Sequence, residues 1–294
     1  MKNFIGSRVL PDMVYHRPES MDEAKSLLNK LQQFRVVAGC TDFIPAIRRG
    51  AWRFEDGLNI LAVKNVRELK GIAEQGNTVT IGAASTLSEI ENSPVIKKHS
   101  PILADTVKEM ASWQIRNTAT IGGNLCTASP AADMAPPLLV LDAKVTVSGP
   151  DKEKTLPLNE FFRGPGQTIL HSDEILTWIQ FPALKKGERT FHIKMGRRNA
   201  FTLSIISLSV WLRIKDGDFE GVRIAFGAVA PTPMRAHRTE EFLKGNKVSP
   251  EIIDKGAEIA AGEVSPISDV RASAEYRKDM AYVLTKKALT ACVL

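Results

Sequence analysis

Two short glycine-containing segments in the first half of the chain have the residue types of an anion-binding surface. Residues 36–43 read VVAGCTDF, a pattern that predicts a short buried strand, a tight turn and the start of a helix. Such a turn directs several backbone N–H groups to one side, and the positive end of the helix dipole adds to them. Taken alone, the segment is equally typical of an ordinary turn with Gly39 at positive φ.

The second segment, residues 120–127, reads TIGGNLCT. Gly122 and Gly123 would let a ligand approach the backbone closely. Donors without negative charge, which suit a diphosphate, are offered by Thr120, Asn124, Thr127 and Ser129. A flexible glycine hinge is the alternative, although a hinge needs no cluster of hydroxyl groups. Two such turns in one domain favour a dinucleotide ligand, because each turn can hold one part of the diphosphate.

The common catalytic and metal-binding motifs are missing from the sequence. It contains no G-x-G-x-x-G after a strand, no P-loop and no G-x-S-x-G nucleophile elbow. The histidines are scattered without a close pair of metal-ligand spacing, and each is expected to be a surface or hydrogen-bonded residue: His16, His99, His171, His192 and His237. We therefore predict a binding site, with no catalytic residue and no metal ligand on this chain.

The charge of the chain is mildly basic. It has 39 Lys and Arg residues against 33 Asp and Glu, a formal net charge of +6. The densest basic cluster is limited to Lys194, Arg197 and Arg198. Nucleic-acid binding usually needs a denser basic face, so we expect a solvated surface or an anionic small ligand and no nucleic-acid partner.

The three cysteines, Cys40, Cys126 and Cys292, are far apart in the sequence. They form no disulfide framework and cannot alone hold a zinc or iron–sulfur site, which is typical of a protein in a reducing cytoplasm. The longest apolar-leaning run, residues 200–212, is too short and too polar to cross a bilayer. Residues 1–6 lack the apolar core of a signal peptide. We expect a soluble, cytoplasmic protein without a membrane span.

The elements that position these segments follow from hydrophobic periodicity and capping signals. A capping box at Ser20 and Glu23 predicts a helix that ends near Gln33. Further strands are predicted at 58–63, 78–82 and 144–148, and helices at 86–91, 101–112 and 134–141. After residue 175 the pattern changes to strands at 175–181, 190–195 and 222–229, a strand or helix at 202–214, and helices at 234–243, 250–261 and 274–291. A length of 294 residues fits two domains, which we place at 1–175 and 176–294.

These residues resemble the FAD-binding (medium) subunit of the molybdenum hydroxylases, which include bacterial xanthine dehydrogenases and carbon monoxide dehydrogenase. The first turn of that family reads A-G-G-T-D/S-L, and residues 38–43 here read AGCTDF. The second reads T-I-G-G-N-[ILA]-x-x-[AG]-x-P-x-x-D, and every fixed position matches from Thr120 to Asp133. Residues 114–117, 224–233 and 274–277 are also similar, so the resemblance covers nearly the whole chain.

The resemblance implies an α+β fold, in which a PCMH-type (vanillyl-alcohol-oxidase-like) FAD-binding domain is followed by a smaller sheet-plus-helices C-terminal domain. It implies non-covalently bound FAD. The implied FAD contacts are Val36, Val37, Ala38, Gly39, Cys40, Thr41, Asp42, Phe43, Thr120, Gly123, Asn124, Thr127, Asp133, Leu176 and Lys194. Without the resemblance, Lys194 would be interpreted as an exposed strand lysine.

Cys40 is the departure from the family pattern, because it stands where glycine is usual. A side chain there implies a backbone angle that tolerates a Cβ, or a slightly displaced turn. The N–H group of Cys40 stays available to a phosphate in either case. A redox role for the thiol has no support from a second cysteine nearby in sequence.

The resemblance also implies a function, electron transfer through the bound FAD. In the family, a molybdopterin subunit hydroxylates a substrate, and electrons pass through a two-cluster iron–sulfur subunit to the flavin, which reduces NAD+ or another acceptor. The molybdopterin and the [2Fe-2S] clusters would therefore belong to partner subunits, and a purine or related N-heterocycle is the favoured substrate of the whole enzyme. A stand-alone flavin-dependent reductase of the same cofactor fold, similar to the peptidoglycan-precursor reductases, is one alternative. A non-catalytic anion- or nucleic-acid-binding protein is the other.

Overall fold

The computed structural model describes residues 10, 12–50, 57–198 and 201–294. A small parallel sheet comes first, with the strand order β1-β3-β2: β1 (Met13–His16), β2 (Phe34–Val37) and β3 (Leu58–Ala62). Helix α1 (Met21–Lys30) precedes β2, and α2 (Phe43–Arg48) follows it. The Ser20 hydroxyl caps α1 as expected, but the Glu23 carboxylate accepts its hydrogen bond from the Glu19 N–H rather than from Ser20.

The second sheet is antiparallel and has the order β4-β5-β10-β6-β7. Its strands are β4 (Ile72–Gln75), β5 (Thr78–Gly82), β6 (Lys144–Ser148), β7 (Glu153–Pro157) and β10 (Ile175–Pro182). A two-stranded ribbon, β8 (Phe162–Gly164) and β9 (Gln167–Thr168), precedes β10. The largest core lies between this sheet and the helices from α3 to α8: α3 (Leu87–Asn92), α4 (Pro94–His99), α5 (Pro101–Lys108), α6 (Trp113–Arg116), α7 (Ile121–Cys126) and α8 (Ala135–Val140).

The third sheet is antiparallel with the order β11-β12-β13-β14, and three helices cover one of its faces. The elements are β11 (Glu188–Met195), β12 (Ile206–Lys215), β13 (Asp218–Gly227), β14 (Met234–Arg235), α9 (His237–Leu243), α10 (Pro250–Glu263) and α11 (Ala274–Val293). Residues 202–214 were expected to be strand or helix, and they form strand β12 from Ile206 onward, while residues 202–205 belong to neither. Alternate residues of β12, such as Leu208 and Val210, pack against the helices, while Trp211 packs into the core of the second sheet.

Sheet topology bears on two predictions from the sequence. Strand β10 lies between β5 and β6, so residues 175–182 belong to the sheet of the first half. We therefore propose that the first unit ends after β10, and that the boundary lies within residues 183–187 rather than at 175. The helix expected at 234–243 was wrong at its start, because Met234 pairs with Phe226 in the sheet and α9 begins at His237.

The fold class expected from the resemblance is confirmed as α+β. Among the described residues, the first unit contains two larger sheets, the β8–β9 ribbon and eight short α-helices, and the second unit contains one sheet and three α-helices. The two units pack together where α5 and α8 meet β11, β12 and β13. Across the described ranges, no helix has an apolar stretch long enough to cross a membrane.

Candidate functional site

The first segment forms a tight turn between β2 and α2. The residue with positive φ is Cys40, at φ 56°, and Gly39 is not in that region. Gly39 is required by packing instead, because a Cβ there would overlap the backbone carbonyl of Thr118. The expectation of an ordinary turn with Gly39 at positive φ was therefore wrong. Cys40 occupies a left-handed conformation that favours glycine.

This turn leaves backbone donors unused. Within the described residues, no acceptor takes a hydrogen bond from the N–H groups of Cys40, Thr41 or Asp42. Asp42 precedes α2 without capping it, and its Oδ2 accepts a hydrogen bond of 3.3 Å from the Thr127 hydroxyl. Phe43 is different, since its side chain is buried in the small core beneath the first sheet. The turn thus has the free N–H groups that an anion site needs.

The second segment begins a helix rather than a loop. Thr120 is the N-cap of α7, and its Oγ1 accepts a hydrogen bond of 3.0 Å from the Gly123 N–H. The N–H groups of Ile121 and Gly122 donate to the carbonyls of Ser85 and Ala83, at 3.0 and 2.9 Å. Backbone donors at the start of α7 are therefore already satisfied by the protein. A ligand would therefore interact with this segment through its side-chain groups and through close contact with the glycine backbone.

The two adjacent glycines of α7 have different surroundings. A Cβ at Gly122 would lie 2.6 Å from the Ala83 carbonyl oxygen, so this glycine allows α7 to pack on the chain after β5. A Cβ at Gly123 would meet one atom within 4 Å, the Thr120 Oγ1 at 3.0 Å. Gly123 is half-buried and is the more accessible of the two. Both glycines line the pocket described next, and Gly123 is the one with open space beside its Cα.

A pocket with a volume of about 230 Å³ lies where β2, α7 and β10 meet. It brings together five of the predicted contacts: Val36, Val37, Ala38, Gly123 and Leu176. Residues before β10 complete its wall, including His171, Ser172 and Glu174, which sequence reasoning missed because no motif marks them. The remaining predicted contacts do not line this pocket.

Asn124 supplies an independent sign that a polar ligand is needed near α7. Its Oδ1 is buried and has no hydrogen-bond partner among the described residues. An unpaired buried carbonyl costs about 1–3 kcal/mol, and a ligand donor would remove that cost. With the free N–H groups of residues 40–42, this donor and acceptor set fits a dinucleotide such as FAD.

The cysteines near the site are not reactive thiolates. Burial raises the pKa of the Cys126 thiol, which lines the pocket, to about 12. Burial also raises the pKa of Cys40, against a smaller opposing effect of Lys64. Both thiols are protonated at neutral pH, so neither is prepared for nucleophilic or disulfide chemistry.

Lys194 and Asp133 form a buried ion pair between the two units. The Lys194 Nζ lies 2.6 Å from the Asp133 Oδ2, and the side chains are 6% and 10% exposed. Lys194 also donates to the Glu109 carbonyl at 3.2 Å, and the Ser204 hydroxyl donates to the Asp133 Oδ1 at 2.5 Å. Lys194 is therefore not an exposed strand lysine. Sequence reasoning missed Glu109 and Ser204, because nothing in their spacing points to Asp133.

A second, polar pocket of about 460 Å³ adjoins this ion pair. Its lining includes Glu109, Lys194, Arg198, Thr202 and Lys287. The pKa of Glu109 is raised above its usual value, because the effect of burial exceeds the opposing effect of the positive charge of Lys194. Elsewhere, the described residues contain no group of three or more His, Cys, Asp or Glu side chains placed to hold a metal ion.

Comparison with known proteins gives consistent matches along the chain. Residues 9–184 match the FAD binding domain in molybdopterin dehydrogenase, and residues 191–292 match the CO dehydrogenase flavoprotein C-terminal domain. The xanthine dehydrogenase FAD-binding subunit of Escherichia coli O157:H7 is 33% identical over 95% of each chain. The carbon monoxide dehydrogenase medium chain of Hydrogenophaga pseudoflava is 30% identical over 96% of this chain and 97% of its own. The solved structure of carbon monoxide dehydrogenase from that organism superposes with a TM-score of 0.91 and 31% identity, covering 97% of this chain and 98% of the matched chain.

Proposed function

The chain belongs to the family of FAD-binding medium subunits of xanthine dehydrogenase- and carbon monoxide dehydrogenase-type molybdenum hydroxylases, and we propose that it carries electrons from a partner's iron–sulfur clusters to NAD+ or another acceptor. The observation that carries this proposal is that the two glycine segments lie side by side. The Thr127 hydroxyl donates a hydrogen bond to Asp42, 85 residues away in the sequence, beside a pocket lined by Ala38, Gly123 and Leu176. Bound FAD would supply the redox chemistry, which this chain's side chains cannot supply themselves.

Within this proposal the first turn binds the negative charge of the cofactor. The N–H groups of Cys40, Thr41 and Asp42 are free to donate to a diphosphate, and Asn124 contributes the acceptor that lacks a partner. Thr120 caps α7, and Thr127 connects α7 to the first turn through Asp42. The apolar walls at Val36, Val37 and Leu176 exclude water from aromatic parts of the ligand.

Lys194 and Asp133 would act on the redox end of the cofactor. Lys194 places its amino group in a largely buried position, where an ammonium would stabilise electron density added nearby. Asp133 fixes the Lys194 Nζ and balances its charge, so the pair remains acceptable in a buried environment. Both side chains are proposed contacts of the cofactor, together with the rest of the set expected from the resemblance.

NAD+ is the acceptor that we propose. Besides Lys194, which is paired with Asp133, the polar pocket has two basic side chains, from Arg198 and Lys287, and a diphosphate suits them. Its position next to Lys194 would bring an acceptor close to the same redox centre. The formal net charge of +6 favours the approach of an anionic dinucleotide.

The other redox centres are proposed to lie on partners, an iron–sulfur subunit and a molybdopterin-binding subunit. This chain has three cysteines, and all three are free thiols. We propose that the assembly works in the cytoplasm, where free thiols persist. A purine or related N-heterocycle would be recognised by the molybdopterin subunit rather than by this chain.

The test begins with the purified single chain. It is expected to be yellow, or to become yellow on reconstitution with FAD, and to show at most NADH-oxidising activity without substrate hydroxylation. A folded, colourless chain that FAD cannot reconstitute would contradict cofactor binding. Hydroxylation by a metal-free preparation of this chain would contradict its role as a subunit. Reduction of a substrate by the chain alone, with NADH as donor, would favour a stand-alone reductase.

A further inference from the structure

Arg277, a buried arginine of α11, is connected to the Lys194–Asp133 pair by a series of ion pairs and hydrogen bonds. Arg277 is 2% exposed, and its Nη2 lies 2.7 Å from the Asp269 Oδ1. An arginine that is buried without a counter-charge strongly destabilises a fold. Asp269 is therefore fixed in position by Arg277, and the loop that carries Asp269 is fixed with it.

Asp269 also accepts hydrogen bonds from a second arginine, Arg271. The Arg271 Nε and Nη2 both donate to the Asp269 Oδ2, at 3.0 and 2.6 Å, and the two hydrogen bonds together orient the guanidinium group. Hydrogen bonds from Arg271 hold the pKa of Asp269 well below its usual range, so the carboxylate stays charged across neutral pH. The remaining nitrogen, the Arg271 Nη1, donates to the Ser204 carbonyl at 3.3 Å.

Ser204 connects the arginine pair to the proposed redox site. Its backbone oxygen is held by Arg271, while its hydroxyl donates to the Asp133 Oδ1 at 2.5 Å. The other oxygen of Asp133 holds the Lys194 Nζ at 2.6 Å. Any shift of Ser204 thus changes the position or the hydrogen bonding of Asp133, and through it of Lys194.

Arg277 also reaches the segment that contains Asp133 by a second path, through Ala228 and Pro130. Its Nη1 donates to the Ala228 carbonyl at 3.0 Å, and the Ala228 N–H donates to the Pro130 carbonyl at 2.7 Å. Ala228 has φ 65°, a conformation that costs energy for a residue with a side chain and persists where contacts enforce it. Pro130 precedes Asp133 by three residues, so both connections from Arg277 reach the same segment.

We propose that Arg277, Asp269 and Arg271 are positioning residues that hold Ser204 and thereby set the Lys194–Asp133 pair against the cofactor. This inference rests on the proposed function for the identity of the cofactor. The network lies in the second unit and reaches a carboxylate of the first, so it makes the C-terminal unit part of the binding site. None of the three residues touches the pocket at β2, α7 and β10.

The test uses three variants of the full chain. Arg271→Met removes every hydrogen bond of the guanidinium and leaves the stem. Arg271→Lys restores the charge without the fixed plane. Arg197→Met is the matched control, because the Arg197 Nη1 contacts the Val270 carbonyl of the same loop at 3.4 Å and is otherwise exposed.

Two kinds of measurement separate positioning from simple stability. One is the dissociation constant of FAD with the visible spectrum and midpoint potential of the bound flavin. The other is the rate at which an amine-reactive reagent labels Lys194 in the FAD-free chain, read by peptide mass spectrometry. Arg271→Met is expected to weaken FAD binding about tenfold, to shift the flavin bands and potential, and to speed Lys194 labelling severalfold. Arg271→Lys should fall between wild type and Arg271→Met, and Arg197→Met should match wild type.

The inference is overturned if Arg271→Met and Arg197→Met give the same flavin spectrum, potential and Lys194 labelling. It is also overturned if Arg271→Met lowers the melting temperature while leaving Lys194 labelling below that temperature unchanged. Failure of the wild-type chain to bind FAD would refute the proposed function, and Lys194 labelling would still decide whether Arg271 positions the ion pair.

Discussion

The two glycine segments look alike in sequence but use their backbone donors differently. In the first, the N–H groups of residues 40–42 have no acceptor among the described residues. In the second, the N–H groups of residues 121–124 donate to the Ser85 and Ala83 carbonyls, to the Thr120 Oγ1 and to the Thr120 carbonyl. The first segment is therefore suited to bind charge, while the second holds its own shape and offers side chains and one open glycine.

This difference shows that a glycine in a binding motif need not contact the ligand. Gly39 and Gly122 each allow close contact with another part of the protein, the Thr118 carbonyl and the Ala83 carbonyl respectively. Both segments are thereby anchored to the chain around them, and the hydrogen bond from Thr127 to Asp42 connects them to each other. Substitutions in the two segments can therefore distinguish residues that the fold needs for packing from residues that the ligand needs for binding.

The largest effect is expected for Gly122→Val. Its Cβ would lie 2.6 Å from the Ala83 carbonyl oxygen and 2.7 Å from the Ala83 Cβ, so α7 must move away from β5. Overpacking of this kind costs about 1–3 kcal/mol. Denaturant unfolding should show the loss of stability, and FAD retention should fall with it. Unchanged stability would mean that α7 shifts freely, and the assigned packing role would be wrong.

Gly123→Val should instead remove FAD and leave the chain folded. The neighbour of the new Cβ is the Thr120 hydroxyl, a side-chain atom, and Gly123 lines the pocket at β2 and β10, so a branched side chain there would compete with the ligand for space. Flavin-to-protein ratio after gel filtration measures the loss, and circular dichroism checks the fold against Gly122→Val. Stoichiometric FAD in the folded Gly123→Val variant would show that the second segment does not contact the cofactor.

Thr127→Ala tests the connection between the segments and should have a moderate effect. The Thr127 hydroxyl contacts the Asp42 Oδ2 at 3.3 Å and the Gly123 carbonyl at 2.9 Å. Loss of a hydrogen bond to a charged group costs about 1.5–3 kcal/mol, and solvent exposure places the effect at the lower end, about tenfold in the dissociation constant of FAD. Thr290→Ala is the control, since its hydroxyl bonds the Lys286 carbonyl within α11, an exposed site in another region. Equal affinities of the two variants would contradict the connecting role.

Cys40→Gly should have the smallest effect, and it should retain FAD. Relief of the left-handed conformation at φ 56° would raise the free energy of unfolding by about 1 kcal/mol at most, because glycine also gains freedom in the unfolded chain. Cys40→Ser keeps the Cβ and removes the thiol, so it should match the wild type in thermal unfolding. Loss of NADH-oxidising activity in both variants at unchanged FAD content would reveal thiol chemistry that the raised pKa of Cys40 argues against.

Local patterns predicted local structure well. Strands 78–82 and 144–148 have the bounds of β5 and β6, because short apolar runs ended by glycine or turn residues leave little choice. The family motif predicted the pocket residues Ala38 and Gly123. The central position of β10, by contrast, depends on pairing with β5, from Trp178 with Gly82, 96 residues apart, to Pro182 with Thr78, 104 residues apart. No periodicity encodes such pairing.

The candidate site shows the same limit. Asp133 and Lys194 are each expected from the resemblance, but their mutual ion pair spans 61 residues and joins two units. The positive φ of Cys40 was not predicted, because a side chain in place of glycine was interpreted as a sign of a backbone angle that tolerates a Cβ or of a displaced turn. Ser204 and Arg271 have no motif, because their roles arise from the packing of loops in the folded chain.

The central position of β10 has a consequence for how the protein is made. Strands β5 and β6 do not pair with each other; each pairs with β10. On the ribosome, the main sheet of the first unit must therefore wait until residues 175–182 have left the exit tunnel, with β5 and its apolar side chains already synthesised. Such long-range pairing folds slowly and exposes unpaired edges. The nascent chain thus passes through a long interval in which chaperones have the best access to it, and the second unit starts to emerge as soon as that interval ends.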